Sequence, residues 1–296
     1  MTIYSQFKTA FSICLLLLGF SLQSHAQNNE NTKEDMFPTP IAVPVPSADD
    51  YVQHRDVVYR ETDTTPLKAD IFLSKIDNIK FPTIVFVHGG PIRPSPTSTA
   101  KDSTFYQSYG ALATKSGFAG IVFNHRMHSL SDFETPKQDI NALFSFVREK
   151  AGHYSLDKNN LCVWYFSGGG NFVAAMLEQK PAWLQCMVVY YGTMGPDALK
   201  AMGIPVAVER PELYDPTPQL ENKTDWDPKI FIAEAGKDKP ALNQALREFS
   251  QAALANGWSV EYWNHPTGVH GFDAANHDDR SKTIINRTME FLQENL

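Results

Sequence analysis

Apolar runs alternate with amphipathic segments along most of the chain. Several runs are continuous stretches of aliphatic, β-branched and aromatic residues, which is typical of strands buried on both faces. Between these runs, apolar residues recur at helical spacing, and this spacing predicts helices that cover the strands. The alternation predicts an α/β fold with a mostly parallel central sheet and helices on both faces. The predicted buried strands span residues 81–88, 118–124, 161–166, 186–191, 230–234 and 260–263.

Two segments depart from this alternation. Between residues 57 and 75, VVYR and LKADIFL alternate apolar with polar positions, which predicts an antiparallel hairpin at a sheet edge. Residues 192–227 are irregular and contain several proline, methionine and tyrosine residues. At the carboxyl end of a parallel sheet, where ligands bind, this insertion predicts a small lid or pocket wall. The alternative is that residues 215–218 only start a short packing helix.

The first 26 residues have the pattern of a secretory signal peptide. Lys8 precedes an apolar run from 11 to 22, and small residues end the segment at Ala26. We therefore expect cleavage near Ala26 and export to the periplasm or the medium, without membrane anchoring of the mature chain. Residues 27–50 are polar and proline-rich, which predicts an extended or disordered arm. Residues 51–296 are long enough for one domain and show no internal repeat.

Net charge and histidine spacing limit the classes of partner and cofactor that the sequence predicts. The formal net charge is -7 at pH 7 and no basic cluster is present, which argues against nucleic acid or an anionic membrane as a partner. His125 and His128 have the H-x-x-H spacing of some metal sites, but no convincing third ligand accompanies them, so we expect no metal and no cofactor.

Cys162 and Cys186 each lie within an apolar run. We favour two buried thiols, with a disulfide between neighbouring strands as the alternative.

The most informative stretch is 161–170, LCVWYFSGGG, in which an apolar run stops at Ser167 and three glycines follow. A serine between a strand and a helix occupies the position of a nucleophile on a tight turn. Such turns usually read G-x-S-x-G, but Tyr165 replaces the first glycine here. An ordinary glycine-rich connection, or one that cradles a phosphate, is the alternative.

A second glycine turn, HGGP at 88–91, ends an earlier buried strand. Backbone amides at glycines can approach a ligand closely because no Cβ holds the ligand off. In acyl transfer, such amides stabilise the negative charge that develops on the former carbonyl oxygen. A plain turn at the end of a strand is the alternative.

Two later loops carry the residues that a serine nucleophile needs. Asp238 follows the strand predicted at 230–234, and His270 follows the strand predicted at 260–263. A serine hydroxyl needs a base within about 3 Å to take its proton, and the base needs a carboxylate to fix its tautomer. Ser167, Asp238 and His270 supply these three groups in the order Ser, Asp, His.

From about Val57 to the end, the chain resembles the α/β-hydrolase superfamily, and most closely its small esterases similar to dienelactone hydrolases and acetyl-esterases. The resemblance rests on HGGP at 88–91, the serine turn, GKD at 236–238 and HGFD at 270–273. It implies the α/β-hydrolase fold and a serine hydrolase that forms an acyl-enzyme. Dienelactone hydrolases carry cysteine at the nucleophile, so their substrate is not implied. The implied roles are Ser167 as nucleophile, His270 as proton carrier, Asp238 as the group that orients His270, and the amides of Gly90 and Gly168 as oxyanion donors.

The expected activity is a carboxylesterase acting on small, short-acyl esters, because the insertion at 192–227 is too short for a deep apolar lid. A peptidase is an alternative, since an HGGP turn also resembles the catalytic domain of prolyl oligopeptidases, although the chain lacks room for their propeller. A non-catalytic binding module on the same scaffold is the second alternative, which the complete triad disfavours. The candidate pocket residues are Tyr106, Phe166, Tyr191 and Met194.

Overall fold

The computed structural model describes residues 35–95, 98–203, 206 and 210–296. Within these ranges the chain forms eight strands and seven α-helices, joined by loops and short 3-10 helices. The strands are β1 (Tyr51–Arg60), β2 (Leu67–Ser74), β3 (Phe81–Val87), β4 (Ala119–Phe123), β5 (Leu156–Phe166), β6 (Leu184–Tyr190), β7 (Lys229–Ala235) and β8 (Val260–His265). The α-helices are α1 (Thr104–Lys115), α2 (Glu134–Lys150), α3 (Val173–Gln179), α4 (Pro196–Ala201), α5 (Pro240–Ala255), α6 (Phe272–Ala275) and α7 (Asp279–Asn295).

All of these strands belong to one sheet in the order β1-β2-β4-β3-β5-β6-β7-β8. β1 pairs antiparallel with β2, and β2 pairs antiparallel with β4, whereas every pairing from β4 to β8 is parallel. The predicted edge hairpin and the predicted mostly parallel sheet are therefore confirmed. Because the parallel strands share one direction, the loops that follow β3, β5, β7 and β8 meet at the same edge of the sheet.

The core has two layers, one on each face of the sheet. Successive side chains of β5 alternate between them, so that Tyr165 packs with α2, α3 and α5, while Phe166 packs with α1 and α7. We call these layers the α2 face and the α1 face. Both are filled by fully buried aliphatic and aromatic side chains, which explains why the central strands read as continuous apolar runs.

Cys162 and Cys186 form a disulfide, so the expectation of two free thiols is wrong. The two residues are register partners on the neighbouring parallel strands β5 and β6, and both side chains point to the α1 face. Their Cα atoms lie 4.7 Å apart, within the range that a disulfide can span. Strand register decides this pairing, and the amino-acid pattern of two apolar runs does not reveal register.

The described part of the predicted arm, residues 35–50, packs against the domain. Ile41, Ala42 and Val43 are buried on the α1 face, and the Ala42 N–H donates to the carbonyl of Asp273 at 2.7 Å. A 3-10 helix at Ala48–Asp50 then leads into β1. The predicted signal segment, residues 1–26, lies outside the described residues. Within the described ranges, no helix is long and apolar enough to cross a membrane.

Candidate active site

Ser167 lies on a sharp turn directly after β5. Its φ angle is 50°, in the left-handed region that residues other than glycine rarely adopt. The turn continues as a 3-10 helix, Ser167–Phe172, before α3 begins. A Cβ atom on Gly168 would lie 2.5 Å from the carbonyl oxygen of Gly90, so only glycine allows this turn to approach the 88–91 loop so closely.

Tyr165, which replaces the usual glycine two residues before Ser167, is accommodated inside the core. It is fully buried on the α2 face, the same face that carries Phe172 and Val173. Its hydroxyl has no hydrogen-bond partner among the described residues, and burial raises the pKa of this hydroxyl. The side chain therefore acts as a large apolar filler between the sheet and the helix that follows Ser167.

Ser167, His270 and Asp238 form a continuous chain of hydrogen bonds. The distance from His270 Nε2 to Ser167 Oγ is 2.8 Å, and the distance from His270 Nδ1 to Asp238 Oδ2 is 2.5 Å. The other oxygen of Asp238 accepts from the Lys239 N–H at 2.7 Å, which fixes the carboxylate. This arrangement places a proton donor on Nδ1 towards the carboxylate and leaves Nε2 free to take the serine proton.

Backbone hydrogen bonds join the loops that carry Asp238 and His270. The Gly236 N–H donates to the His265 carbonyl at 2.8 Å, and the Lys237 N–H donates to the Gly268 carbonyl at 2.9 Å. Both loops follow neighbouring parallel strands, β7 and β8. The separation between the carboxylate and the imidazole is thus set by main-chain contacts rather than by side-chain packing alone.

The 88–91 loop presents an unused amide beside Ser167. The Gly89 N–H donates to the hydroxyl of Tyr106 at 3.2 Å, so it is already occupied. No described residue accepts a hydrogen bond from the Gly90 N–H, whose nitrogen lies 3.0 Å from the position a Cβ on Gly168 would take. The Gly168 N–H belongs to the first turn of a helix, where amides have no acceptor within the helix. These two amides are therefore available to a ligand next to Ser167.

Two stacked histidines fix the backbone of the 88–91 loop. The imidazoles of His88 and His125 lie 3.6 Å apart and nearly parallel, and both are buried. Burial lowers the pKa of His88 to about 4 and lowers the pKa of His125 well below its ordinary value, so both rings are neutral at neutral pH. His88 Nδ1 then donates to the Gly89 carbonyl at 2.6 Å, while its Nε2 accepts from the His125 N–H at 3.2 Å.

The other half of the H-x-x-H pair, His128, bonds through Nδ1 to the Ile92 carbonyl at 2.9 Å. Arg126, which lies between the two histidines, holds the buried carboxylate of Asp139 with two side-chain nitrogens at 2.9 and 2.8 Å and therefore orders its own loop. Within the described ranges, no group of three or more His, Cys, Asp or Glu residues is arranged to hold a metal ion.

A cavity of about 470 Å³ opens over Ser167 and His270. Tyr106, Phe166 and Tyr191 line it, as expected from the sequence. Met194 does not: it packs on the α2 face and lines a second cavity beside α4 and α5. Met194 is separated from the other three residues because it lies on the α2 face, and the sheet lies between that face and the α1 face.

One part of the cavity wall comes from a segment to which the sequence assigned no role at the site. None of the described residues in 192–227 lines the cavity over Ser167, and that segment instead forms α4 and two 3-10 helices, Pro211–Tyr214 and Pro218–Asn222. The alternative expectation, that residues 215–218 start a short packing helix, matches the 3-10 helix Pro218–Asn222. Residues 36–39 of the arm line the cavity.

Asp273 is a further buried group near the site to which the sequence assigned no role. Its side chain is 0% exposed and accepts hydrogen bonds from the hydroxyls of Tyr109 and Tyr191. Burial raises the pKa of this carboxyl to about 6, although the two hydroxyls oppose the shift. The ring of Tyr191 lies 4.8 Å from the imidazole of His270, so the tyrosine contacts both groups. The HGFD motif was visible in the sequence, but the burial of its aspartate was not.

Comparisons with known proteins bear on the fold of this chain. The family model BD-FAE matches residues 69–183. A truncated carbohydrate esterase from gut microbiota has 19% sequence identity and a TM-score of 0.67, over 85% of this chain and 99% of that chain. Esterase 2 of Thermogutta terrifontis has 16% identity and a TM-score of 0.66, over 84% of this chain and 94% of that chain.

Brefeldin A esterase, described as a bacterial homologue of human hormone sensitive lipase, has 15% identity and a TM-score of 0.64 over 91% of this chain and 78% of that chain. A sequence search of curated proteins returns no match. At these identities the likeness establishes the fold, and the chain has the α/β-hydrolase fold. The fold alone does not establish which reaction the site performs.

Proposed function

We propose that this chain is a serine carboxylesterase that cleaves small, short-acyl esters through an acyl-enzyme. The observation that carries the proposal is the hydrogen-bond chain from Ser167 through His270 to Asp238. Esterase structures with the same fold, including a carbohydrate esterase, support a small-molecule ester as substrate. The cavity of about 470 Å³ has the size typical of small-molecule sites.

In the first half-reaction, His270 Nε2 takes the proton of Ser167 Oγ as that oxygen attacks the ester carbonyl. Asp238 stabilises the imidazolium that forms. The carbonyl oxygen becomes negatively charged, and the amides of Gly90 and Gly168 donate to it. Collapse of the tetrahedral intermediate breaks the bond to the alcohol, which leaves with the proton from His270.

The second half-reaction regenerates the serine. A water molecule loses a proton to His270 Nε2 and attacks the acyl carbon, and the same two amides stabilise the second oxyanion. The carboxylic acid then leaves, while His270 returns a proton to Ser167 Oγ. No group beyond these residues and water is needed to balance either step.

We also propose that the protein is exported. The pattern of residues 1–26 supports export. The disulfide between Cys162 and Cys186 supports it independently, because such bonds persist mainly in oxidising compartments. Amino-terminal sequencing of protein recovered from the periplasm or the medium should begin at Gln27; a chain retained in the cytosol with residues 1–26 intact would contradict this.

A fluorophosphonate probe tests the central proposal. Folded wild-type protein should be labelled at Ser167, and Ser167→Ala should lose labelling and at least about 10⁴-fold in kcat towards p-nitrophenyl acetate. Ser131→Ala, at an exposed serine, is the matched control and should retain both. Folded wild-type protein that is not labelled would remove the proposal. Faster cleavage of proline-linked amides than of esters would replace the esterase with a peptidase.

A further inference from the structure

We propose that residues 36–39 of the arm, centred on Phe37, form the wall of the substrate cavity that limits the length of the acyl group. This inference rests on the proposed esterase function and assigns the role of a lid to a segment that lies before the first strand. None of the described residues of the insertion at 192–227 lines this cavity, whereas residues 36–39 line it together with Ser167 and His270.

The arm is held at the amino end of α1 because its oxygen atoms accept hydrogen bonds from N–H groups that have no acceptor within the helix. The carboxylate of Asp35 accepts from the Thr104 N–H at 3.0 Å and from the Thr104 hydroxyl at 2.5 Å. The Phe37 carbonyl accepts from the Phe105 N–H at 3.1 Å. First-turn amides have no acceptor within their helix, and a negative charge at this end is favoured by the helix dipole. The arm therefore docks at one defined register.

The arm is also held on the other side of Phe37. Ile41, Ala42 and Val43 are buried on the α1 face, and the Ala42 N–H donates to the carbonyl of Asp273, three residues after His270. Contacts on both flanks therefore hold residues 36–39 in place where they line the cavity. Asp35 additionally accepts from the Phe37 N–H at 3.0 Å, which fixes the backbone that carries the ring.

Phe37 itself faces the aromatic side of the cavity. Its ring packs edge-on against Phe105 and Tyr106, with centroid distances of 6.5 and 6.0 Å. Phe37 remains 39% exposed, so part of its apolar surface stays open in the cavity that Ser167 also lines. Tyr106 in turn accepts from the Gly89 N–H, which ties this wall to the loop that carries Gly90. Removing the ring should enlarge the cavity on the side where the arm crosses it.

The test compares acyl-chain selectivity in p-nitrophenyl esters from acetate to octanoate. For Phe37→Ala, the ratio of kcat/KM for octanoate to that for acetate should rise about tenfold above the wild-type ratio. Phe37→Leu retains most of the bulk and should stay near the wild-type ratio. Ile79→Ala, at an apolar residue of matched 40% exposure outside the cavity, should not change the ratio.

Asp35→Ala provides a second route to the same result. Loss of the contacts to Thr104 should loosen one end of residues 36–39 and raise the octanoate-to-acetate ratio without removing any cavity residue. Unchanged ratios in both Phe37→Ala and Asp35→Ala, in protein that the fluorophosphonate probe still labels, would overturn this inference and leave the esterase function intact. Absence of labelling in the wild type would instead overturn the function.

Discussion

The buried carboxyl of Asp273 provides a quantitative test of the fold around the candidate site. The side chain is 0% exposed and receives hydrogen bonds only from tyrosine hydroxyls among the described side chains, while the nearby His270 acts on it electrostatically. Replacing it by asparagine preserves the shape and removes the titration. We therefore predict that Asp273→Asn changes how stability depends on pH.

The sign and size of this change in stability follow from the pKa of Asp273 in the folded protein. Burial raises the pKa of Asp273 from 3.8 to about 6 in the folded protein. Between these values the folded state holds a proton that the unfolded state has lost, so the stability contributed by the neutral carboxyl is complete below pH 3.8. This stability is lost as pH rises through 6. At about 1.36 kcal/mol per pH unit, the full effect is about 3 kcal/mol.

Urea unfolding of wild type and Asp273→Asn between pH 4 and pH 7.5 measures this effect. The free energy of unfolding of the variant, relative to wild type, should increase by about 2 to 3 kcal/mol across that range. Titrating groups that do not interact with Asp273, including the buried His88 and His125, cancel in the difference, whereas His270 interacts with Asp273 and is therefore replaced by glutamine in both proteins. Asp63→Asn removes an exposed carboxylate and is the control, for which we expect a small change. Parallel profiles for wild type and Asp273→Asn would refute the reasoning.

Two further predictions concern the turn and the disulfide. Gly168→Ala should lower kcat/KM for p-nitrophenyl acetate at least about 10²-fold, because its Cβ would lie 2.5 Å from the Gly90 carbonyl and displace the amide donors; Gly152→Ala, with no atom within 4 Å of its Cβ, is the control, and full activity in Gly168→Ala would contradict the prediction. Peptide mapping without reduction should find Cys162 linked to Cys186, and opening this 24-residue loop should cost about 3.5 kcal/mol of unfolding free energy; unlinked peptides, or equal stability after reduction, would contradict it.

One large difference between expectation and structure concerns the wall of the cavity over Ser167. The sequence placed a cavity wall in the insertion at 192–227, but none of its described residues lines the cavity, and residues 36–39 of the arm do. A polar, proline-rich segment carries little hydrophobic signal of its own. It is ordered here because Asp35 and Phe37 meet unsatisfied amides at the start of α1, and those partners lie about 70 residues away along the chain.

The amino-acid pattern by itself determined the parallel sheet, its helical layers, and the positions of Ser167, Asp238 and His270 after three of the strands. Continuous apolar runs mark buried strands locally, and parallel strands bring the residues after them to one edge. Tertiary structure alone decided the Cys162–Cys186 pairing, the placement of Met194 on the far side of the sheet, and the docking of the arm. Each of these depends on register or on contacts between distant segments, which local hydrophobicity does not encode.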